Sequence, residues 1–178
     1  QVMGHVKDIT NLNSLTKWVQ DQFDTRLNWD DVKRIKDWWG GKLIIKGIMD
    51  PDDAKMAQKC GADALVVSNH GGRQLDGVNS SISTLPQIKK AVSNMEVLMD
   101  GGISSGQDIL KAIALGADGV MIGRSFVYGL SAGGKEGVTK SLEILNKELD
   151  MTMALCGRRD IKDVGRDIIK DCPFFEKN

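Results

Sequence analysis

One histidine of this sequence, His70, ends an apolar run and is followed by two glycines (DALVVSNHGG). An imidazole accepts and releases protons near neutral pH, so a histidine in this position suits general acid–base chemistry. A lone histidine is more commonly a surface residue or a satisfied core residue, and that alternative stays open on this residue alone. Three other charged residues, Lys46, Arg73 and Asp100, come at or after the ends of apolar runs, and we expect them on the same rim as His70. The pattern therefore predicts an enzyme site with His70 as the proton acceptor.

Two glycine pairs, Gly71-Gly72 and Gly101-Gly102, follow apolar runs in the same way. Glycine allows the backbone N–H groups to approach a flat ring or a phosphate closely, although each pair alone is no more than a turn signal. The dipeptide Gly123-Arg124 precedes a predicted helix, which is a usual arrangement for binding phosphate. These glycines favour a phosphorylated cofactor beside the charged residues.

A strand–helix–strand pattern that occurs twice, about 55 residues apart, positions these groups. The segment 61–63 (GAD) of the first copy matches segment 116–118 of the second. Functional groups of parallel α/β folds collect at the carboxyl ends of the strands, where all the charged residues named above are expected. The predicted strand, helix and strand span residues 42–48, 50–62 and 63–70 in the first copy and 97–103, 104–117 and 118–125 in the second.

The repeated pattern with continuous apolar strands predicts a parallel sheet covered by helices, and within that class a (β/α) barrel. A doubly wound sheet is the competing fold. Only four strands can be identified, whereas a closed barrel needs eight, so the sequence predicts half of a (β/α)8 TIM barrel. We expect a single domain over residues 1–178, with a helical lead-in (1–41), four strand–helix units (42–130) and closing helices with a tail (131–178).

Further helices are predicted outside the repeat, at residues 13–23, 30–39, 83–93 and 134–157, the last as one long helix or two short ones. The four tryptophans are expected to pack as core or cover. They are Trp18, Trp29, Trp38 and Trp39.

Composition excludes several classes of function. Lys plus Arg equals Asp plus Glu, 24 each, so no overall field would attract nucleic acid or an anionic membrane. Cys60, Cys156 and Cys172 are far apart and odd in number, which argues against disulfides and a zinc site, and no metal site is predicted. The apolar runs are too short for a membrane span. The cysteine pattern leads us to expect a reducing, cytoplasmic setting. The first residue, Gln1, and the late first strand favour a piece of a longer protein.

The segment SNHGGRQLDG (68–77) resembles the active-site signature of the FMN-dependent 2-hydroxy acid oxidase and dehydrogenase family. The segments IIKGI, DGGI, ALGADGVMIGR and GLSAGGKEGV resemble the same family in the same order, so the resemblance extends over about residues 28–161. The continuation GVNSSISTLP is most similar to the family's bacterial respiratory L-lactate dehydrogenases. The resemblance implies FMN as cofactor, oxidation of L-lactate or a similar 2-hydroxy acid, and the C-terminal half of the barrel.

The resemblance also implies a role for each site residue. His70 would take a proton from the substrate while two electrons pass to the flavin, and Arg73 would hold the substrate carboxylate in a bidentate pair. Lys46 would neutralise negative charge on the flavin. The remaining implied contacts are Ser68 with the isoalloxazine ring, Asp100 and Gly101 with the cofactor around the ribityl chain, and Gly102, Gly123 and Arg124 with the phosphate.

Two departures from the family pattern affect these expectations. Ser104 stands where the family has a phosphate-binding arginine, and we expect Ser105 and the helix N-terminus that follows to offset part of that loss. The family's active-site tyrosines, a second substrate-binding arginine and the aspartate that orients the histidine belong to the first half of the barrel. Tyr128, the sole tyrosine, follows the last strand and is not expected to replace them. The chain alone should therefore bind FMN poorly or not at all.

Three interpretations remain. The chain is an enzyme completed by an N-terminal half, a truncated and inactive half-barrel with residual or no flavin binding, or a half-barrel that forms homo-oligomers to cover its sheet edges. For the enzyme, a quinone or cytochrome is the expected electron acceptor. The full-length form would lie in the cytoplasm, with peripheral attachment to the cytoplasmic face of the membrane as a further option.

Overall fold

The computed structural model describes residues 11–22 and 24–169. The helices are α1 (Leu12–Asp21), α2 (Trp29–Trp39), α3 (Pro51–Lys59), α4 (Ser81–Ala91), α5 (Gly106–Ala114) and α6 (Arg124–Leu155). The strands are β1 (Ile44–Ile48), β2 (Ala64–Val67), β3 (Glu96–Met99) and β4 (Gly119–Val120). Short 3₁₀ turns cover His70–Gly72, Ile161–Asp163 and Arg166–Ile168.

The four strands form one parallel sheet in the order β1-β2-β3-β4. Consecutive strands are neighbours throughout, so each crossover contains one helix and the order never reverses. A doubly wound sheet would reverse its strand order at a switch point, whereas a (β/α) barrel proceeds in one direction. The prediction of a parallel α/β fold with a barrel-like order is confirmed.

The internal repeat is also present in the structure. Helices α3 and α5 each have 9 residues, and their N-caps, Asp50 and Ser105, each accept backbone N–H groups of the first turn through the side chain. Each helix is followed by a glycine in the left-handed region, Gly61 with φ 82° and Gly116 with φ 106°. The spacing that defined the repeat therefore reflects two equivalent helix starts and stops.

The core lies between the sheet and the helices α3, α4 and α5. All four residues of β2 are buried, and the side chains of Leu65, Val67, Leu85, Ile88 and Val97 are fully buried. Burying a side chain of this size contributes about 1.5–3 kcal/mol. Since β2 and β3 are the two central strands, this core supports the carboxyl ends from which the site residues extend.

Two aspartates of the repeat anchor the amino ends of the strands. Asp63 accepts hydrogen bonds from Leu43 N (2.8 Å) and from the ammonium groups of Lys36 (2.5 Å) and Lys42 (2.8 Å). The hydrogen bond from Lys36, followed by that from Lys42, holds the pKa of Asp63 well below its usual range. Asp118 takes the equivalent place before β4.

Asp118 accepts from Val97 N at 2.7 Å and from the Lys89 ammonium at 2.5 Å. Its own N–H donates to the carbonyl of Val97 at 2.8 Å, and the N–H of Asp63 donates to the carbonyl of Leu43 at 2.9 Å. The same arrangement of an aspartate and a lysine therefore occurs twice. Through Asp63 it joins α2 to β1 and β2, and through Asp118 it joins α4 to β3 and β4.

Some sequence expectations differ from the structure. Trp29 packs against the core and Trp18 is half-buried, but Trp38 and Trp39 are 76% and 66% exposed, so the prediction that they are core or cover is wrong. Helix α2 contacts α3 and has no fully buried residue, so much of its surface is open to solvent. Trp38 stacks with Arg34 instead, with the guanidinium 5.3 Å from the ring centroid.

Strand β4 and helix α6 also differ from their predicted extents. β4 has 2 residues because it pairs only with β3, although hydrogen bonds with β3 continue to Met121 N. Helix α6 begins at Arg124, as the Gly123-Arg124 signal indicated, and bends at Gly133 and Gly134 before continuing to Leu155. His5, Phe23 and Cys172 lie outside the described residues.

Candidate active site

A cavity of about 790 Å³ lies at the carboxyl ends of the strands. It is bordered on one side by the strand ends and on the other by both arms of the bent helix α6. Seven of the nine predicted catalytic and cofactor-binding residues line it: Lys46, His70, Asp100, Gly101, Gly102, Gly123 and Arg124. The sheet therefore brings most of the predicted site into one space.

Lys46 extends from the middle of β1 and is held by two partners. Its ammonium group lies 2.8 Å from Asp100 Oδ2, in a salt bridge, and donates to Ser68 Oγ at 2.9 Å. Ser68 is 1% exposed, so its hydroxyl lies beneath the cavity wall. The pairing register shifts after Lys46, because Gly47 forms an irregularity in β1. Three adjacent strands thus fix one cation at the cavity.

His70 is held in an unusual backbone conformation. Its φ is 53°, and Gly71 and Gly72 follow with φ of 69° and 73°. A left-handed residue with a side chain costs about 1–2 kcal/mol, so neighbouring contacts must hold the turn. Ser68 Oγ accepts from His70 N at 3.2 Å, and Asn69 Oδ1 accepts from Gly71 N at 2.9 Å.

The imidazole is exposed and lies over the backbone of β1. A Cβ on Gly47 would lie 3.0 Å from His70 Cε1, so a glycine is needed there for the ring to keep its place. Ser68 links this turn to the lysine, because its hydroxyl contacts both His70 N and the Lys46 ammonium. Ser68 therefore supports both the turn that carries the His70 ring and the ammonium group of Lys46.

The start of α6 forms the opposite part of the cavity. Its N-cap, Gly123, offers no side-chain cap within the described residues, and its first turn contains no acidic residue. Arg124 and Tyr128 are one turn apart and both line the cavity. Free N–H groups and a guanidinium at a helix N-terminus are suited to bind an anion.

The start of α5 differs, because carboxylates occupy it. Asp108 Oδ2 accepts from the backbone N–H and the hydroxyl of Ser104 (both 3.1 Å) and from those of Ser105 (3.0 and 2.9 Å). Gly106 N donates to Glu148 Oε2 at 2.9 Å. Ser105 and the backbone N–H of Gly106 are thus engaged by carboxylates, and the expectation that this helix start offsets the missing arginine stays a prediction.

The carboxylate of Asp108 is stabilised in its charged form by these contacts. Partial burial raises its pKa, but hydrogen bonds from Ser104 and Ser105 together lower the pKa below its usual value. Asp108 therefore remains an anion in the first turn of α5.

Arg73 and Ser68 are the two predicted site residues that do not line the cavity. Arg73 is exposed and follows the left-handed turn, after which residues 74–80 run along the surface. The three consecutive left-handed residues turn the chain away from the strand ends, which sequence spacing alone does not reveal. Of the five residues expected on one rim, Lys46, His70, Asp100 and Arg124 line the cavity, whereas Arg73 follows the His70 turn at the same end of the sheet without lining the cavity.

Sequence reasoning missed the contribution of α6 to the walls. Tyr128, which is not expected to replace the family's missing tyrosines, lines the cavity together with Ser141, Ile144 and Leu145 from the second arm. The i, i+4 spacing of Arg124 and Tyr128 would have placed them on one helix face once the helix start was accepted. The bend at Gly133 and Gly134 brings the second arm of α6 back to the cavity. The sequence signal for this bend is weaker.

Cys60 and Cys156 are free thiols, and no group of three or more His, Cys, Asp or Glu side chains suited to a metal ion occurs in the described part of the chain. None of the helices formed by residues 11–22 and 24–169 is long and apolar enough to cross a membrane.

Comparison with known proteins agrees with the site. The model of the family described as FMN-dependent dehydrogenase matches residues 2–171. The chain is 46% identical over 181 residues to an L-lactate dehydrogenase of Caulobacter vibrioides, an alignment that covers 96% of this chain and 47% of the relative. It is 50% identical over 167 residues to an L-lactate dehydrogenase of Allorhizobium ampelinum, covering 93% of this chain and 44% of the relative.

Solved structures show the same relationship. A crystal structure of the monotopic membrane protein (S)-mandelate dehydrogenase matches with a TM-score of 0.84 and 37% identity, covering 92% of this chain and 43% of that one. A crystal structure of mandelate oxidase matches with a TM-score of 0.81 and 39% identity, covering 88% and 46%. The chain thus spans less than half the length of these relatives. The resemblance based on the segment SNHGGRQLDG is confirmed: the chain belongs to the FMN-dependent dehydrogenase family.

Proposed function

We propose that this chain forms the cofactor-facing half of an FMN-dependent enzyme that oxidises a 2-hydroxy acid, with L-lactate as the substrate and pyruvate as the product. The observation that supports this most is the single cavity that Lys46, His70, Asp100 and Arg124 share. The relatives named L-lactate dehydrogenase, at 46% and 50% identity, favour lactate over other hydroxy acids.

The residues present fit FMN at both ends of the cavity. Its volume, about 790 Å³, is within the range of about 300–1,000 Å³ usual for small-molecule and cofactor sites. Gly102 and Gly123 have open space where a Cβ would stand, so a ligand can approach their backbone. Arg124 and the start of α6 suit the phosphate, and the Lys46 ammonium suits electronegative atoms of the ring system. Bound FMN supplies the two-electron acceptor for the reaction.

The chain's own residues then have distinct roles. His70 accepts the substrate proton, and its exposed ring is held by the left-handed turn. Lys46 holds a positive charge at a fixed place, and the contacts with Ser68 and Asp100 orient it. Ser68 acts in this proposal as a positioning residue, since its buried hydroxyl joins the lysine to the His70 turn.

Arg73 remains the proposed partner of the substrate carboxylate. A guanidinium binds a carboxylate through two parallel hydrogen bonds, which an ammonium cannot reproduce. Arg73 is exposed and lies three residues after His70, at the outer side of the turn. It therefore contacts a substrate that enters from the open side, beyond the residues that line the cavity.

The wider setting of the reaction is part of the same proposal. A respiratory role implies that the electrons continue to a quinone or a cytochrome, and that the complete protein is cytoplasmic or attached to the cytoplasmic face of the membrane. The relatives' greater length favours an N-terminal half that completes the barrel and supplies the rest of the substrate site. A homo-oligomer would cover the exposed edges of β1 and β4 in another way.

A second candidate function is an inactive flavin-binding or phosphate-binding half-barrel. It is favoured by Arg73, which lies outside the cavity, and by the carboxylates at the start of α5, which reduce the positive field available to the phosphate. In this case the chain would bind a flavin weakly and would not reduce it.

Anaerobic stopped-flow measurement separates the two functions. FMN is mixed with the chain, alone and with a separately produced N-terminal half of a relative, and flavin bleaching is followed after addition of L-lactate. Bleaching with L-lactate and none with D-lactate supports the enzyme. Saturable FMN binding without bleaching in either preparation would support the inactive half-barrel.

A further inference from the structure

Residues 69–81 leave the carboxyl end of β2 and return to the fold at the start of α4. This segment carries the two side chains that the proposed function places on the substrate, His70 and Arg73. The hydroxyl and the carboxylate of a 2-hydroxy acid are bonded to the same carbon atom, so the two side chains must keep a fixed spacing to act on one molecule. The contacts that hold this segment therefore bear on the reaction.

Asn69 uses its backbone and side-chain polar groups to hold both ends of the segment. Its Oδ1 accepts from Gly71 N at 2.9 Å, and its carbonyl accepts from Gly72 N at 3.0 Å. Its Nδ2 donates to the carbonyl of Asn79 at 3.3 Å, and its N–H donates to Ser81 Oγ at 3.3 Å. One half-buried residue thus joins the first residues of the segment to its last ones.

Two of these contacts fall on the turn between His70 and Arg73. His70, Gly71 and Gly72 all have positive φ, and a histidine needs surrounding contacts to hold such a conformation. The N–H groups of both glycines donate to Asn69, so this residue closes the turn. The direction in which the chain continues to Arg73 follows from that closure.

The other two contacts hold the return of the segment to the fold. Ser81 is 3% exposed and is the first residue of α4, so its hydroxyl is a fixed anchor for Asn69. Gly101, which lines the cavity, lies against both residues: a Cβ there would be 3.2 Å from Ser81 Oγ and 3.7 Å from Asn69 Oδ1. Asn69 is therefore also packed beside the loop after β3, which forms part of the cavity wall.

We propose that Asn69 is a positioning residue for the reaction: it holds His70 in the left-handed conformation and fixes the spacing between His70 and Arg73. This inference rests on the proposed function for the roles of those two side chains, but not for the conformation that Asn69 maintains. Ser68 supports the His70 turn from the side of Lys46, whereas Asn69 supports it from the side of α4.

The first measurement is NMR of the whole chain without any ligand. A residue with positive φ has a short distance between its own amide and α protons, and hence a strong nuclear Overhauser cross-peak between them. Asn69→Ala should weaken this cross-peak at His70. Asn69→Gln, which keeps the amide but displaces it by one methylene group, should weaken it as well and decides the question if Asn69→Ala does not fold.

A conservative variant and a matched control sharpen this measurement. Asn69→Asp retains the oxygen that accepts from Gly71 N and should preserve the His70 cross-peak. Asn79→Ala removes the same amide from the same segment and should also preserve it, because Asn79 is exposed and Asn69 contacts only its backbone carbonyl. Asn94, which precedes β3 and has φ of 56°, is the internal reference in every variant.

The second measurement separates a positioning role from a purely structural one. In a preparation that reduces FMN with L-lactate, Asn69→Ala should slow flavin reduction about 10- to 100-fold. It should also raise the L-lactate concentration needed for half of the maximal rate, since His70 and Arg73 are displaced together. The FMN affinity should be unchanged, because Asn69 does not line the cavity, and Asn79→Ala should change none of these quantities.

The outcomes of the two measurements decide the proposal. A His70 cross-peak of full strength in Asn69→Ala and Asn69→Gln, or one that is equally weakened in Asn79→Ala, would overturn it. Unchanged flavin reduction despite a weakened cross-peak would overturn it as well. If no preparation of the original chain reduces FMN, the proposed function is rejected, and the cross-peaks still decide whether Asn69 holds the turn.

Discussion

At the amino ends of the strands, Asp63 and Asp118 each accept a backbone N–H and a lysine ammonium from the helix beside them. At the carboxyl ends, His70 and Arg124 face a cavity, and neither side chain has a hydrogen-bond or ion-pair partner among the described residues. At the amino end the charges of Asp63 and Asp118 are thus paired within the fold, whereas at the carboxyl end the side chains of His70 and Arg124 are available to a ligand. In barrels of this kind, stability and function divide between the two ends in the same way.

Lys46 shows how the carboxyl end differs even where its charges are paired. Its salt bridge with Asp100 joins β1 to the loop after β3, and its second contact is the buried Ser68. At the amino end Lys36 and Lys89 come from helices and bind the aspartates that precede strands, so they hold layers together. At the carboxyl end the lysine comes from a strand and extends toward the cavity, so its partners orient it for a ligand.

The largest effect is expected at the carboxyl end, from His70→Asn. Asparagine tolerates a left-handed backbone, so the thermal unfolding temperature should be unchanged. In a preparation of this chain that reduces FMN with L-lactate, loss of the proton acceptor should slow flavin reduction by about 10²- to 10⁴-fold while FMN stays bound. Near-normal reduction in this variant would remove the role assigned to His70.

The next effect is a gain of FMN affinity in Ser104→Arg. A charge-assisted contact with phosphate should strengthen FMN binding by about tenfold or more and leave riboflavin binding unchanged. Ser93→Arg adds the same charge after α4, at the amino end of the sheet, and serves as the matched control. Flavin fluorescence titration gives both affinities, and equal gains in the two variants would show that net charge, rather than position, is responsible.

The smallest effect is expected at the amino end, from Asp63→Asn. The folded chain holds the pKa of Asp63 below its unfolded value, so this group contributes stability above about pH 4 and loses that contribution as the pH falls further. The variant should unfold a few degrees lower at neutral pH, and its difference from the original chain should shrink below about pH 4. Thermal unfolding between pH 3 and 7 tests this.

The affinity for FMN is the control for that substitution. Asp63→Asn should leave it unchanged, because Asp63 lies at the opposite end of the strands from Lys46. A loss of FMN binding with an unchanged unfolding temperature would contradict the division between the two ends.

Local signals in the sequence predicted much of the fold. The predicted helices over residues 50–62 and 104–117 correspond to α3 and α5, and Gly123-Arg124 marked the start of α6. These signals depend on residues adjacent in the chain, so they survive without knowledge of tertiary contacts. The extent of β4 and the exposure of Trp38 and Trp39 depend on neighbouring strands and helices, and were not predictable in this way.

The site residues also divide into those that local signals predict and those that depend on distant contacts. Its strand-end residues were predicted because parallel strands place their carboxyl ends together, and Lys46, His70 and Asp100 are correctly grouped. Glu148 was missed because it reaches Gly106 from 42 residues away through the bend of α6. Arg73 does not line the cavity, and it follows three consecutive residues in the left-handed region whose conformation the sequence analysis did not predict.

Equilibrium titration of the purified chain with FMN and with riboflavin tests the central claim, that the cavity at the carboxyl ends binds FMN with its phosphate beside Arg124. The account predicts weak, saturable binding, tighter for FMN than for riboflavin, and loss of that preference in Arg124→Met with riboflavin affinity unchanged. Equal affinity for the two flavins in the original chain, or a preference for FMN that survives Arg124→Met, would contradict it.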